Sequence, residues 1–224
     1  TDEEKWYSLY ADEPTPEGDI LHWKSANLNW NYMCADCHST GLKRGYDLAS
    51  DTYSTTWEEM TVGCEACHGP GQAHEEWAEK GTGVDPFLQP VREPVVPGQG
   101  RSSNLVVEAE IDMCASCHAR RVPLDEAPVH GAAFLDRYAP SLLDEGLYYA
   151  DGQIRDEVYV YGSFVQSKMA QSGVTCSDCH DPHSGKRLLE GSALCQSCHV
   201  PASYDTAAHG LHEPDSPAAL CESC

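Results

Sequence analysis

The sequence is poor in the residues that usually build an aliphatic or aromatic core. Its 224 residues include only three Phe and four Met, and apolar residues, with Cys and Tyr counted, make up 41% of the chain. No apolar run is long enough to span a membrane, so a transmembrane helix within this chain is excluded. Because side chains alone would form a thin core for this length, we expect another group to fill part of the interior.

Basic residues are also scarce. Lys and Arg total 14 against 36 Asp and Glu, which gives a formal net charge of −22, and no block of basic residues occurs. This balance excludes nucleic acid as a natural partner and argues against anionic membrane surfaces. It leaves basic proteins, divalent cations and positively charged mineral surfaces as electrostatic partners. The alternative is that the acidic residues only keep the protein soluble.

None of the twelve cysteines falls outside a C-x-x-C pair. In five of the six pairs, His follows the second Cys at once, and the sixth pair ends at the last residue of the sequence. The six pairs are Cys34/Cys37, Cys64/Cys67, Cys114/Cys117, Cys176/Cys179, Cys195/Cys198 and Cys221/Cys224, and the five histidines are His38, His68, His118, His180 and His199.

C-x-x-C-H is the attachment motif of a c-type haem. Two thiols at i and i+3 share one side of a helical turn, where they form thioethers with the two vinyl groups, and the adjacent His reaches the iron. Three zinc sites with four thiolates each are an alternative, but zinc does not require a His after every second Cys. Disulfide or thioredoxin-like chemistry does not require six copies. We therefore predict six haems, five of them on complete motifs.

The histidines outside the motifs nearly complete a set of axial ligands. Six haems with two axial histidines each need twelve, and the sequence carries eleven, one fewer because no residue follows Cys224. Met60 and Met169 could compete as ligands, but packing is the expected role of both. The predicted distal ligands are His22, His74, His130, His183, His209 and His212.

Two of these histidines lie close in sequence to a motif histidine. His74 follows His68 by six residues, and His183 follows His180 by three. Because the porphyrin separates the two axial positions of one iron, we expect His74 and His183 to serve neighbouring haems. His209 and His212 would share a helix face and should likewise serve two different irons.

The pattern along the chain predicts one multihaem domain, residues 1–224, with haem-binding parts 20–118 and 174–224 joined by a haem-free segment, 119–173. Pro70, Gly71 and Gly81 bracket a predicted short helix, and a second helix should run from about Ser103 into the third motif. Residues 82–100 should form an extended connection. A β-hairpin is predicted near 147–164. Asp151-Gly152 would form its turn, and side chains alternate with a period of two residues over 157–164.

Several stretches resemble the haem-rich segment of multihaem cytochromes c of the doubled C-x-x-C-H type, which precedes tetratricopeptide repeats in some members. They are HWKSANLNWNYMCADCHSTGL, VGCEACHGPGQAH, ADGQIRDEVYVYGSFVQSKMAQSGVTCSDCHDPHSG and LCQSCH. The resemblance implies a mainly helical fold with much irregular structure, organised around stacked haems, and a role in electron transfer outside the cytoplasm. The start at Thr1 would fit an exported protein whose signal peptide has been removed.

The predicted function is an electron-transfer conduit, because iron with His on both faces offers no vacancy to a substrate. The alternative is a multihaem reductase of a nitrogen or sulfur oxyanion, or a fragment of one, which needs one iron without a strong sixth ligand. The expected partners are redox proteins or an extracellular acceptor. A sixth site at the chain end would also allow head-to-tail association into filaments.

Overall fold

A computed structural model describes residues 10, 15–19, 21–25, 28–83, 85, 104–126, 131–141, 143–204, 206, 208–209, 212–213 and 216–221. Contacts group the chain into two compact units. The first contains Thr1–Phe87 and Pro123–Ala132, and the second contains Leu88–Val122 and Ala133–Cys224. A single domain over residues 1–224 stays a prediction.

The first unit consists of short helices and one two-stranded sheet. A π-helical turn, Trp30–Cys34, continues into α1 (Ala35–His38). Strands β1 (Tyr46–Asp47) and β2 (Thr52–Tyr53) pair antiparallel, with Tyr46 opposite Tyr53. Helices α2 (Cys64–His68) and α3 (Gln72–Lys80) follow.

Helix α3 is the predicted short helix. It ends where Gly81 adopts a left-handed φ of 65°, a conformation that glycine reaches without the penalty of a Cβ. The rings of His74 and Trp77 stack at 5.5 Å, because residues three apart lie on one helix face. Of the predicted extended connection at 82–100, only residues 82, 83 and 85 lie within the described part of the chain.

The remaining elements are also short, apart from α4. In chain order they are α4 (Asn104–His118), β3 (Arg121–Pro123), α5 (Phe134–Arg137), β4 (Tyr138–Pro140), α6 (Tyr161–Val165), α7 (Lys168–Gln171), β5 (His180–Asp181), β6 (Lys186–Arg187), α8 (Ser192–Gln196) and α9 (Pro201–Tyr204). Short 3₁₀ turns lie at Cys176–Asp178 and Pro217–Ala219. Strand β3 pairs with β4, and β5 pairs antiparallel with β6. Helix α4 is the predicted helix that runs into the third motif.

The predicted β-hairpin near 147–164 is wrong in its second half. The turn at Asp151-Gly152 is present, since the N–H of Tyr149 donates to the carbonyl of Gln153 at 2.9 Å. The run at 157–164, however, forms no strand and enters α6. Tyr159 has a φ of 59°, which interrupts any extended pairing at the centre of the alternating pattern.

The hydrophobic core is small, as the composition predicts. Among the described residues, the buried hydrophobic side chains are Ala35, Leu42, Ala115, Ala119, Phe134, Tyr138, Tyr148 and Val158. In the second unit Ala115, Ala119, Phe134 and Tyr138 form one cluster, against which Tyr161 packs. Met60 and Met169 are 55% and 49% exposed, and the packing role expected of both stays a prediction. No helix in the described ranges is long and apolar enough to cross a bilayer.

Candidate haem-binding site

The first motif occupies the junction of the π-helical turn with α1. The side chain of Asn29 caps this turn by accepting a hydrogen bond from the N–H of Tyr32. The helical backbone places Cys34 and Cys37 one turn apart on the same side, as attachment to one porphyrin edge requires. Burial, and secondarily Cys37, raise the pKa of the Cys34 thiol. His38 is exposed.

The second motif is the whole of α2, and the buried Thr40 joins it to the first. The Thr40 hydroxyl accepts a hydrogen bond from the N–H of Gly63 at 2.9 Å and donates one to the carbonyl of Thr61 at 2.8 Å. Gly63 caps α2 directly before Cys64. Because Thr40 follows His38 by two residues, this hydroxyl connects the two motifs of the first unit, together with the backbone hydrogen bonds of Thr40 to Glu58 and Glu59.

The third motif forms the last turn of α4 and is anchored by the core cluster of the second unit. Ala115, between Cys114 and Cys117, is 2% exposed. The ring centroid of Phe134 lies 5.3 Å from the ring centroid of Tyr138 and 4.7 Å from that of Tyr161. The buried face of α4 therefore fixes the motif, while His118 stays exposed.

The fourth motif lies in a 3₁₀ turn that is joined to α4. A capping box formed by Thr175 and Asp178 begins this turn, and Thr175 is 1% exposed. The backbone N–H of Ser177 donates to the Glu110 carboxylate at 2.8 Å, one helical turn before Cys114. His180 begins β5 and is exposed. The third and fourth motifs are thus direct neighbours.

The fifth motif lies beside the fourth. Burial first, and then electrostatic interactions with Asp178, Cys195 and Cys198, raise the pKa of the Cys179 thiol. The N–H of Leu188 donates to the Cys179 carbonyl at 2.9 Å, which brings the chain that leads into α8 back against the fourth motif. The helical turn of the fifth motif is closed by a hydrogen bond of 2.9 Å from the N–H of His199 to the carbonyl of Cys195.

The sixth motif begins next to the helix that carries the fifth. The backbone N–H of Cys221 donates to the Ser192 hydroxyl at 3.1 Å, and Ser192 is the first residue of α8. Cys224 lies outside the described residues. Contacts in the second unit therefore join the third, fourth, fifth and sixth motifs in the order of the sequence.

Carboxylates inside three motifs stabilise the attachment loops. In the first motif, Asp36 forms an ion pair with the buried Arg44, with Oδ1 and Nη2 2.9 Å apart. In the second, Glu65 accepts a hydrogen bond from the N–H of Gly71 at 2.5 Å, just before α3. In the fourth, Asp178 closes the capping box. Because each carboxylate is held locally, the acidic residues of these loops also have a structural role.

His74 has the environment expected of an iron ligand. Its Nδ1 lies 2.7 Å from Oδ1 of Asp85. A carboxylate that accepts from Nδ1–H fixes the tautomer in which Nε2 carries the lone pair for a metal. Since metal-binding histidines commonly donate their second nitrogen in this way, Asp85 supports the prediction for His74.

The other predicted distal histidines differ in their surroundings. His22 accepts a hydrogen bond at Nδ1 from the N–H of Lys24 at 3.2 Å, so this contact must break before Nε2 can bind iron. His183 is exposed in the turn between β5 and β6. The ring of Tyr204 is nearly perpendicular to the rings of His209 and His199, with centroids 5.3 Å and 4.8 Å away. His212 is exposed, and His130 lies outside the described residues.

The residues around the motifs fit haem c. Exposed apolar side chains flank the described motifs, where a porphyrin would cover them: Met33, Val62, Val122, Leu188, Leu189, Val200 and Leu220. Within the described ranges, no three His, Cys, Asp or Glu side chains converge as a metal site, so the zinc alternative gains no geometric support there.

Comparisons with known proteins agree with this class of site, that of a c-type cytochrome with several haems. The family model of cytochrome c554 and c-prime matches residues 5–69, and the doubled CXXCH motif matches residues 168–204. These matches confirm the resemblance to multihaem c-type cytochromes of the doubled C-x-x-C-H type, and they support haem c as the cofactor. No curated protein gives a significant match.

A solved structure, that of the outer cell wall cytochrome OcwA, shares the fold with a TM-score of 0.51 and 19% identity. The match covers 84% of this chain and 50% of that one, so this chain spans about half the length of OcwA. At this identity the likeness concerns the fold alone.

Sequence reasoning missed Thr40 and Arg44. Both are buried polar residues close to the first motif, with exposures of 3% and 7%. Arg44 is one of only 14 basic residues in an acidic chain. This scarcity is the feature of the sequence that could have pointed to a special role for Arg44. Thr40 gives no signal in the sequence, because its partners lie more than twenty residues away.

Proposed function

We propose that the protein is an electron-transfer conduit that carries about six bis-His haems on its six C-x-x-C pairs. The observation that carries this proposal is the order of the attachment residues in the second unit. Glu110 joins the third site to the fourth, and Ser192 joins the fifth to the sixth. Between them, the chain that leads into the fifth site returns to the carbonyl of Cys179 through the N–H of Leu188. Attachment sites that contact one another in sequence order favour electron transport between haems over catalysis at one dedicated centre.

The chain's own residues account for attachment and ligation. The paired cysteines would anchor the porphyrin, and the histidines of the five complete motifs would each supply one iron ligand: His38, His68, His118, His180 and His199. The second ligands would come from His22, His74, His130, His183, His209 and His212. When bound, haem c supplies an iron that changes between the ferric and ferrous states. With both faces occupied by histidine, a substrate finds no open position, which favours the conduit over a reductase of nitrogen or sulfur oxyanions.

We further propose a periplasmic or extracellular location, with a redox protein or an extracellular acceptor as partner. The support is the fold shared with an outer cell wall cytochrome, together with c-type attachment motifs. The charge of −22 favours a basic or cationic surface on that partner. Head-to-tail association into filaments stays a prediction.

Carbon monoxide added to the reduced holoprotein tests the conduit against the reductase. Saturated low-spin haems bind it poorly, so on a chain whose sixth motif is complete we expect less than one equivalent to bind rapidly. Stoichiometric binding at one haem, with a high-spin signal in the oxidised protein, would favour the reductase.

Denaturing mass spectrometry tests the cofactor count. We expect six covalent haems on a chain whose sixth motif is complete, and five if the last pair is empty. Fewer than five would contradict the proposed function.

A further inference from the structure

Arg44 is a buried cation in the first haem site. Its side chain is 8% exposed, and its Nη2 lies 2.9 Å from Oδ1 of Asp36, whose side chain is 9% exposed. Asp36 stands in the two-residue loop between Cys34 and Cys37. The guanidinium is therefore directed at the segment that attaches the first haem.

The backbone of Arg44 is held to the same motif from the other side. Its carbonyl accepts a hydrogen bond from the Thr55 hydroxyl at 2.8 Å, and that hydroxyl accepts one from the Asn31 side chain at 2.7 Å. Asn31 belongs to the π-helical turn that leads into Cys34. With its backbone and its guanidinium both tied to the motif, Arg44 keeps a defined position.

Two nitrogens of this guanidinium have room for a further anion. Nε and Nη2 of Arg44 are both buried and have no hydrogen-bond acceptor among the described residues, because the contact of Nη2 with Asp36 is an ion pair without hydrogen-bond geometry. Leaving a buried, charged donor without an acceptor is costly, so such a group usually meets an anion. Arginine has a planar fork that suits a carboxylate, and each haem brings two propionate carboxylates.

We propose that Arg44 binds a propionate of the haem on Cys34 and Cys37 through Nε while Nη2 holds Asp36. This inference rests on the proposed function. It adds a residue that gives one haem a reduction potential different from that of the others. Because a ferrous haem carries one more negative charge than a ferric haem, a fixed cation beside it favours the reduced state. Arg44 thus raises the reduction potential of the first haem.

A spectroelectrochemical titration of the R44Q holoprotein tests this role. We expect the reduced-to-oxidised ratio of one haem equivalent to fall about tenfold at a fixed potential, which corresponds to about 59 mV for one electron. The other haems should titrate as in the wild type. The matched control is K80Q, which removes an exposed cation of the same unit and should change no ratio by more than about twofold.

Mass spectrometry of the peptide that contains Cys34–His38 separates the possible failures. A wild-type peptide without haem would contradict the proposed function itself. A loaded peptide in R44Q with an unchanged ratio would overturn only the role of Arg44.

A double variant covers the case in which R44Q does not fold because Asp36 is left buried and unpaired. D36N/R44Q removes both charges of the pair, which proteins tolerate better than the loss of one partner. The double variant is compared with D36N, so that only the charge at position 44 differs. A lower reduced-to-oxidised ratio at one haem in D36N/R44Q than in D36N would support binding of the propionate, and equal ratios would overturn the proposal.

Discussion

The hydroxyl of Ser192 accepts a hydrogen bond of 3.1 Å from the backbone N–H of Cys221, so the first residue of α8 holds the start of the sixth motif. Their separation of 29 residues in sequence makes this a tertiary contact. Because Cys195 lies in the same helix, the contact sets how closely the fifth and sixth sites approach.

S192A tests that contact. Loss of one partly solvated hydrogen bond should lower the free energy of unfolding by about 0.5–1.5 kcal/mol. Electron exchange between the fifth and sixth haems should slow, because the sixth site is no longer held against α8. Stopped-flow reduction of the holoprotein measures the rate, and S203A, in the exposed part of α9, is the control. Equal rates in S192A and the wild type would contradict the coupling of these two sites.

T40V tests the connection between the first and second motifs. Valine keeps the shape of threonine but leaves the N–H of Gly63 and the carbonyl of Thr61 without the hydroxyl. We expect a loss of about 1–3 kcal/mol in the free energy of unfolding, measured by denaturant titration of the holoprotein. T61V removes an exposed hydroxyl from the same contact region and should change stability by less than about 0.5 kcal/mol. A similar loss in both variants would argue against a special role for Thr40.

F134A tests the cluster that supports the third motif. Phe134 is 1% exposed and packs against Tyr138 and Tyr161. Its truncation should cost about 3–5 kcal/mol, because a cavity forms beside Ala115 in the motif. Thermal unfolding followed by circular dichroism measures the loss, and L135A is the control, since Leu135 is 62% exposed. Equal unfolding temperatures for F134A and L135A would contradict the role of this cluster in stabilising the third motif.

H74A and D85N test the proposed ligand pair. H74A should open one axial position, so the reduced variant should bind one equivalent of carbon monoxide that the wild type does not bind. D85N should leave His74 in place but weaken the hydrogen bond at its Nδ1. The fraction of high-spin haem should therefore be smaller than in H74A. Electron paramagnetic resonance of the oxidised proteins measures that fraction. Wild-type spectra for H74A would exclude His74 as a ligand.

Local patterns in the sequence were sufficient for the haem motifs and for two helices. Helix α3 follows from Gly71, Gly81 and the spacing of His74 and Trp77, and α4 runs into the third motif as predicted. These features depend on residues within one or two turns of each other, where chain geometry leaves few alternatives.

The strand predicted at 157–164 shows the limit of such patterns. Alternation favours a strand only where a neighbouring strand can pair, and here Val158 turns inward to 1% exposure while its carbonyl accepts a hydrogen bond from the N–H of Arg120. Gly162 lies so close to Tyr148 that a Cβ would meet the phenol oxygen at 2.3 Å. Packing against distant residues therefore decided the conformation, and local propensity did not.

The sequence by itself determined where the haem-attachment motifs lie, because C-x-x-C-H is a local chemical unit whose geometry needs only one helical turn. Which sites are neighbours was decided by the tertiary structure alone. Ser177 meets Glu110 across 67 residues, and the ion pair of Arg44 with Asp36 depends on burial that no local pattern encodes. Contacts of this kind depend on how the chain returns on itself to bury its few apolar residues, which is a property of the whole fold.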